Sequence, residues 1–215
     1  MPRDVTYSSY LDLEKILSAQ HPASGAHDEM LFIIVHQASE LWLKLCLHEL
    51  TAARLEIAAD DLRPAFKMLA RVARAQGQLI HSWEVLSTMT PADYSQVRPH
   101  LANSSGFQSA QYRLMEFLLG GRNPDHVTMH EATPAVAEAL QAELARPSLY
   151  DEALRLLGRR GLPQQLDPRV LEVGGRLHHL HGVVVAVFRT RDPRPALARG
   201  GVFGRVGSRA RALLG

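Results

Sequence analysis

Residues 27–60 read HDEMLFIIVHQASELWLKLCLHELTAARLEIAAD, and this stretch decides the fold. Leu31, Ile34, Ala38, Leu41, Leu45 and Glu49 recur at three- and four-residue intervals, the spacing of one face of an α-helix. Phe32, Val35, Trp42, Leu43 and Cys46 lie off that row, so the apolar surface is wide and the helix is expected to be central, packed on more than one side. A second helix is expected from Leu62 to Ser87, with Phe66, Leu69, Val72, Leu79, Trp83 and Leu86 on one face and basic residues on the other. The two form an antiparallel pair in this reading.

Working outward, TMTPAD offers Thr90 as N-cap, Pro91 at the first helical position and Asp93 near the positive end of the dipole. A short helix carrying Tyr94 and Arg98 should start there and end before the turn formers Asn103-Ser104-Ser105-Gly106. GFQSAQYRLMEFLL (106–119) reads as a helix stopped by Gly120-Gly121. RNPDHVTMHEATP (122–134) reads as a polar loop, Thr133 and Pro134 open TPAVAEALQAELAR, and Ser148 caps a last helix that ends at Gly161. Outside VVVAV at 183–187 there is no alternating strand pattern and no internal repeat, so the expected class is all-α.

Composition narrows the setting. A chain of 215 residues that is 46% hydrophobic suits one domain, here placed at 1–173. Residues 174–215 change character: eight Gly, eight Arg and no Lys or Glu, a Gly/Arg-rich tail whose make-up predicts disorder. That tail holds one of the 22 acids, Asp192, so the first 173 residues are net acidic and nucleic-acid binding is not expected. His36, Glu40, Lys44 and His48 cut the longest apolar stretch, and Met1 to Tyr10 has no leader pattern; the reading is no membrane span and a cytoplasmic protein. Cys46 is the only cysteine, which excludes an internal disulfide, and a buried thiol is expected.

Few residues announce chemistry on their own. There is no phosphate-binding glycine loop, nucleophile elbow or HExxH. Phe32 and His36, and likewise Tyr94 and Arg98, are four apart and share a helix face. The polar pair His36-Gln37 interrupts a helix that otherwise buries its length, so His36 needs a buried partner, and spacing favours a core histidine over a ligand. Arg98 suits a carboxylate, though most such arginines are exposed helix residues. Asp125, His126 and His130 raise a metal reading that lacks a third ligand, and His178, His179 and His181 form the densest histidine cluster, most simply exposed.

Motifs add what spacing does not. SYLDLEKILSAQHP (9–22), HDEMLFIIVHQASELWLKLCLHEL (27–50), DDLRPAFKMLARVARAQGQLIHSWEVLSTMTPADY (60–94), NSSGFQSAQYRLMEFLLGGRNP (103–124) and RPSLYDEALRLL (146–157) resemble tryptophan 2,3-dioxygenases in order and spacing. The resemblance implies the helical bundle of the tryptophan/indoleamine dioxygenases and a haem b enzyme that uses O2 to cleave the indole ring of L-tryptophan to N-formylkynurenine, assembled as a homotetramer. It implies that Phe32 walls the indole pocket with Ile33, Ile34 and Val35, and that catalytic His36 accepts the indole N–H. Tyr94 and Arg98 would hold the substrate carboxylate, and Ser105 and Gly106 would close the pocket. Val35 and Ala38 stand where the family has glutamine and threonine.

The family's WRFRH segment, source of the haem ligand, and its IGFKRGTGG are absent from the chain. Setting HHLHGVVVAVFRTR against that end of the family places His178 at the axial position. A slipped reading frame near Val173 would explain the tail's composition, and the nucleotide sequence decides it. Two alternative outcomes of this reading are an indole-oxidising haem monooxygenase of the same superfamily and a haem-free fragment of the fold.

Overall fold

The computed structural model describes residues 5–102, 104 and 108–162, and every regular element among them is helical. In chain order they are α1 (Tyr7–Leu11), α2 (Leu13–Leu17), α3 (Glu29–Ala58), α4 (Leu62–Leu86), α5 (Pro91–Val97), a 3-10 turn (Arg98–Leu101), α6 (Ala110–Leu119), α7 (Asp125–Thr128), α8 (Pro134–Leu144) and α9 (Leu149–Arg159). The all-α expectation holds for this part. The 173/174 boundary, VVVAV and His178 lie outside the described residues.

α3 and α4 form the expected antiparallel hairpin, and each contributes a three-four row. Leu43, Cys46, Leu50, Ala53 and Ile57 of α3 meet Ala65, Leu69, Val72, Ala75 and Leu79 of α4. Met115, Leu118 and Leu119 of α6 and Leu149, Ala153 and Leu156 of α9 complete the core. Cys46 is fully buried, and burial pushes its thiol up to about 11.

The buried row of α3 is not the one its periodicity suggested. Ile34 and Leu41 are 49% and 54% exposed, and on α4 Trp83 is 63% exposed. The first half of α3 is apolar nearly all round, so spacing alone could not choose the side that receives partners. α3 also has the length and mean hydropathy of a membrane-crossing helix. Yet α4, α6 and α9 all pack on it, and Glu29, Glu49 and Arg54 are buried along it with partners from this chain. The half of α3 from Leu43 to Ile57 serves the core.

The turns follow from backbone chemistry. Asp60 takes φ 64°, and the Asp60 and Asp61 amides bond the Ile57 and Glu56 carbonyls, a Schellman closure of α3. α9 grips this turn: Arg159 donates to the Ile57 carbonyl at 2.8 Å and Arg160 to the Asp60 carboxylate at 2.7 Å. Gly120 ends α6 at φ 113°, where a Cβ would meet that of Tyr150 at 3.2 Å. Thr90 and Ser148 are N-caps as expected, each completed to a capping box by Asp93 and Asp151, whereas Thr133 precedes α8 without a side-chain cap.

Two local readings are corrected. α6 starts at Ala110 rather than Gly106, because the Ser109 hydroxyl accepts the Tyr112 amide and sets the first turn there. The polar stretch 122–134 contains the one-turn α7. The N-terminal segment forms two short helices separated at Asp12, which adopts φ 52°.

Ser148 is 1% exposed and lies between α8 and α9, where its cap bonds hold the first turn of α9. Ser148→Ala is expected to destabilise the fold by about 1 kcal/mol in urea titration, the usual cost of an N-cap; an unchanged midpoint would show that α9 is held by packing alone.

Candidate functional site

The first turns of α3 and the short α5 bring three rings together. Phe32 and His36, one turn apart, have centroids 4.2 Å apart at 37°, and Tyr94 of α5 lies 6.2 Å from Phe32 at 36°. α5 is held for this by its capping box and by Pro91 at its start; the Thr90 hydroxyl and amide bonds keep the Asp93 carboxyl below its ordinary range. Tyr94 is 39% exposed, so the cluster opens to the surface.

His36 meets the partner its position demanded. Its Nδ1 lies 2.7 Å from the Phe32 carbonyl. A carbonyl only accepts, so Nδ1 carries the proton in neutral His36, and Nε2 is left with a lone pair. The helix backbone thereby fixes a tautomer that can accept an N–H.

Arg98 begins the 3-10 turn, its amide bonded to the Tyr94 carbonyl. Its Nη1 donates to the Ala102 carbonyl at 2.7 Å. Ala102 sits at φ 47° and ψ −121°, a region that favours glycine, and Arg98 holds this strained residue from below. Ile33 and Val35 are half-buried. Ile34 is roughly 200° round the helix from Phe32 and turns away from the three rings. Ser105, Gly106 and His178 lie outside the described residues.

Some polar residues that matter here gave little signal. Glu29, at the first position of α3, is only 3% exposed and accepts the Ala23 amide at 2.8 Å, the Ser24 amide at 2.6 Å and the Ser24 hydroxyl at 2.5 Å. The Ser24 hydroxyl bond, then that of the Ala23 amide, outweighs burial and keeps this carboxyl below its usual range; the Ser24 amide and His100 add to the effect. Gln37 donates to the Ala19 carbonyl at 2.9 Å and accepts from Gln20 at 2.6 Å. The legible hint was the His36-Gln37 interruption itself.

The metal reading at residues 125–130 finds no support among the described residues, where no three ligating side chains gather. His126 stacks on Phe117 and its Nδ1 lies 3.5 Å from the Glu116 carboxylate, which Arg113 also holds.

The model of the family described as tryptophan 2,3-dioxygenase matches residues 2–158. The chain belongs to the tryptophan 2,3-dioxygenase family. Among tryptophan 2,3-dioxygenases, it is 70% identical to that of Erythrobacter litoralis over 197 residues, covering 90% of this chain and 74% of the relative. It is 59% identical over 160 residues to that of a Polaromonas species and 55% identical over 164 to that of Pseudomonas fluorescens. These matches cover 74% and 76% of this chain, which spans 54% and 57% of those relatives' lengths. A match over 90% of the chain is longer than residues 1–173, so the likeness to the Erythrobacter dioxygenase runs into the 174–215 stretch.

The His36 tautomer is open to direct test. Nitrogen-15 NMR of the neutral ring is expected to show a protonated Nδ1 and a bare Nε2; the reverse assignment would remove its acceptor role.

Proposed function

We propose that this chain acts on L-tryptophan as a haem-dependent dioxygenase, cleaving the indole C2–C3 bond with O2 to give N-formylkynurenine. The observation that carries the reading is the convergence of Phe32, His36 and Tyr94 at the meeting of α3 and α5. The indole ring lies against Phe32 and donates its N–H to His36 Nε2, the atom left free to accept when the Phe32 carbonyl takes Nδ1. His36 needs no large basicity for this. It orients the ring and holds its N–H.

Arg98 and Tyr94 receive the substrate carboxylate. One guanidinium N–H serves the Ala102 carbonyl, and others of its five donors form the charge-assisted fork. Ser105 and Gly106 close the pocket, with Ile33 and Val35 beside it.

The described residues fit the substrate side of a haem better than the side that ligates iron. In this reading the Phe32 carbonyl holds His36 Nδ1 and the free Nε2 is taken by the indole N–H. With His36 given to the indole, the axial ligand is proposed from another residue, His178, which lies outside the described residues. Haem b, when bound, supplies the activation of O2.

The assembly proposed is a homotetramer. α1 and α2 bury none of their residues within the chain, and Tyr7, Tyr10 and Leu17 are 77%, 78% and 72% exposed, apolar surface that further copies would cover.

Two measurements test the reading. The purified chain with added haem, reduced and anaerobic, is expected to give a stoichiometric haem absorption band that shifts with L-tryptophan and to form N-formylkynurenine once oxygen is admitted. Haem left unbound would overturn the dioxygenase reading. Arg98→Ala is expected to weaken tryptophan binding roughly tenfold or more, the scale of a charge-assisted hydrogen bond, with a smaller effect on haem; equal losses in both would refute its carboxylate role.

A further inference from the structure

Residues 19–28, between α2 and α3, contain no regular secondary structure, and their ordering needs specific bonds to offset the entropy of a fixed chain. α3 supplies those bonds at two points. Gln37 holds the Ala19 carbonyl and the Gln20 side chain, while Glu29 holds the Ala23 and Ser24 amides and the Ser24 hydroxyl. The segment therefore runs back along α3, antiparallel to it.

The register of the two clamps is informative. Glu29, Ile33 and Gln37 form one i, i+4, i+8 row of the helix, and Phe32 and His36 form the row beside it. Eight helical residues rise about 12 Å. The four steps from Ala19 to Ala23 reach at most about 14 Å when fully extended. The strap spans the same stretch of α3 as the two clamps, the one bearing Phe32 and His36. Gln20 adds a bond to the Ile16 carbonyl, tying the strap to the end of α2.

We propose that Glu29 and Gln37 are positioning residues for the tryptophan pocket: together they pin residues 19–24 along α3 and hold the helix turn that presents Phe32 and His36. This inference rests on the functional reading above for its substrate. The residues themselves touch neither indole nor carboxylate; they act through the fixed backbone of the strap and the helix. Glu29 stays ionised through neutral pH, because the same hydrogen bonds that make the clamp keep its carboxyl low.

The test uses the full chain and the variants Q20L, Q37L and E29Q. Gln20 lies at the periphery, so Q20L keeps the question open if E29Q fails to fold. Tryptophan affinity by calorimetry is expected to fall about fivefold in Q20L and in Q37L, the scale of one neutral hydrogen bond, and the double variant should lose little more than either single one. E29Q should lose about tenfold. In the haem-loaded protein KM should rise while kcat is kept, a split that general unfolding would not produce. Hydrogen exchange of the amides in residues 19–24 should quicken in all three variants. Unchanged affinity in Q20L and Q37L, against a wild-type chain that binds tryptophan, would overturn the inference. A wild-type chain that takes no tryptophan would instead overturn the functional reading; exchange then judges the clamp, and unchanged rates in residues 19–24 would sink it.

Discussion

The contact on which the structure depends is the seam between α3 and α4. Two apolar rows with three-four spacing interdigitate there, and small residues let the helices approach: Ala53 on one side, Ala65 and Ala75 on the other, all 3% exposed or less. α6 and α9 lie across α3, and Arg54 of α3 reaches the Glu143 carboxylate of α8 and the Pro147 carbonyl. A buried cation needs such partners, since leaving it alone would cost several kcal/mol, on the order of 3–5.

The helices were legible where local chemistry is decisive. Thr90-Pro91 and Ser148 mark true helix starts because a hydroxyl that accepts an orphan amide is a local fact, readable from four residues. The faces were less legible. Ile34, Leu41 and Trp83 read as core and are exposed, because which side of an apolar helix is covered depends on partners far away in sequence. α6 shows the same limit at small scale: its pattern began at Gly106, but the Ser109 cap moved the first turn.

The site divides similarly. Spacing put Phe32 with His36 and Tyr94 with Arg98, but that Tyr94 meets Phe32 is a tertiary fact, whereas the His36 ring is set locally by the Phe32 carbonyl. What the motifs contributed was the chemistry the rings serve, which no spacing rule contains. Glu29 was silent because a single polar residue at a helix start is ordinary, and Gln37 showed only as half of the His36-Gln37 interruption; the loop folded back on them shows what they hold.

The two arginines that end α9 bear on how the chain comes together. Their bonds to Ile57 and Asp60 join residues about a hundred positions apart, while the α3–α4 hairpin needs only contacts between neighbours in the chain. Closing a loop that long costs only about 2 kcal/mol more than closing one of ten residues. The hairpin is therefore a local unit and α9 its distant fastener: the turn that ends α3 is held both by its own backbone closure and by a contact from about a hundred residues further along the chain.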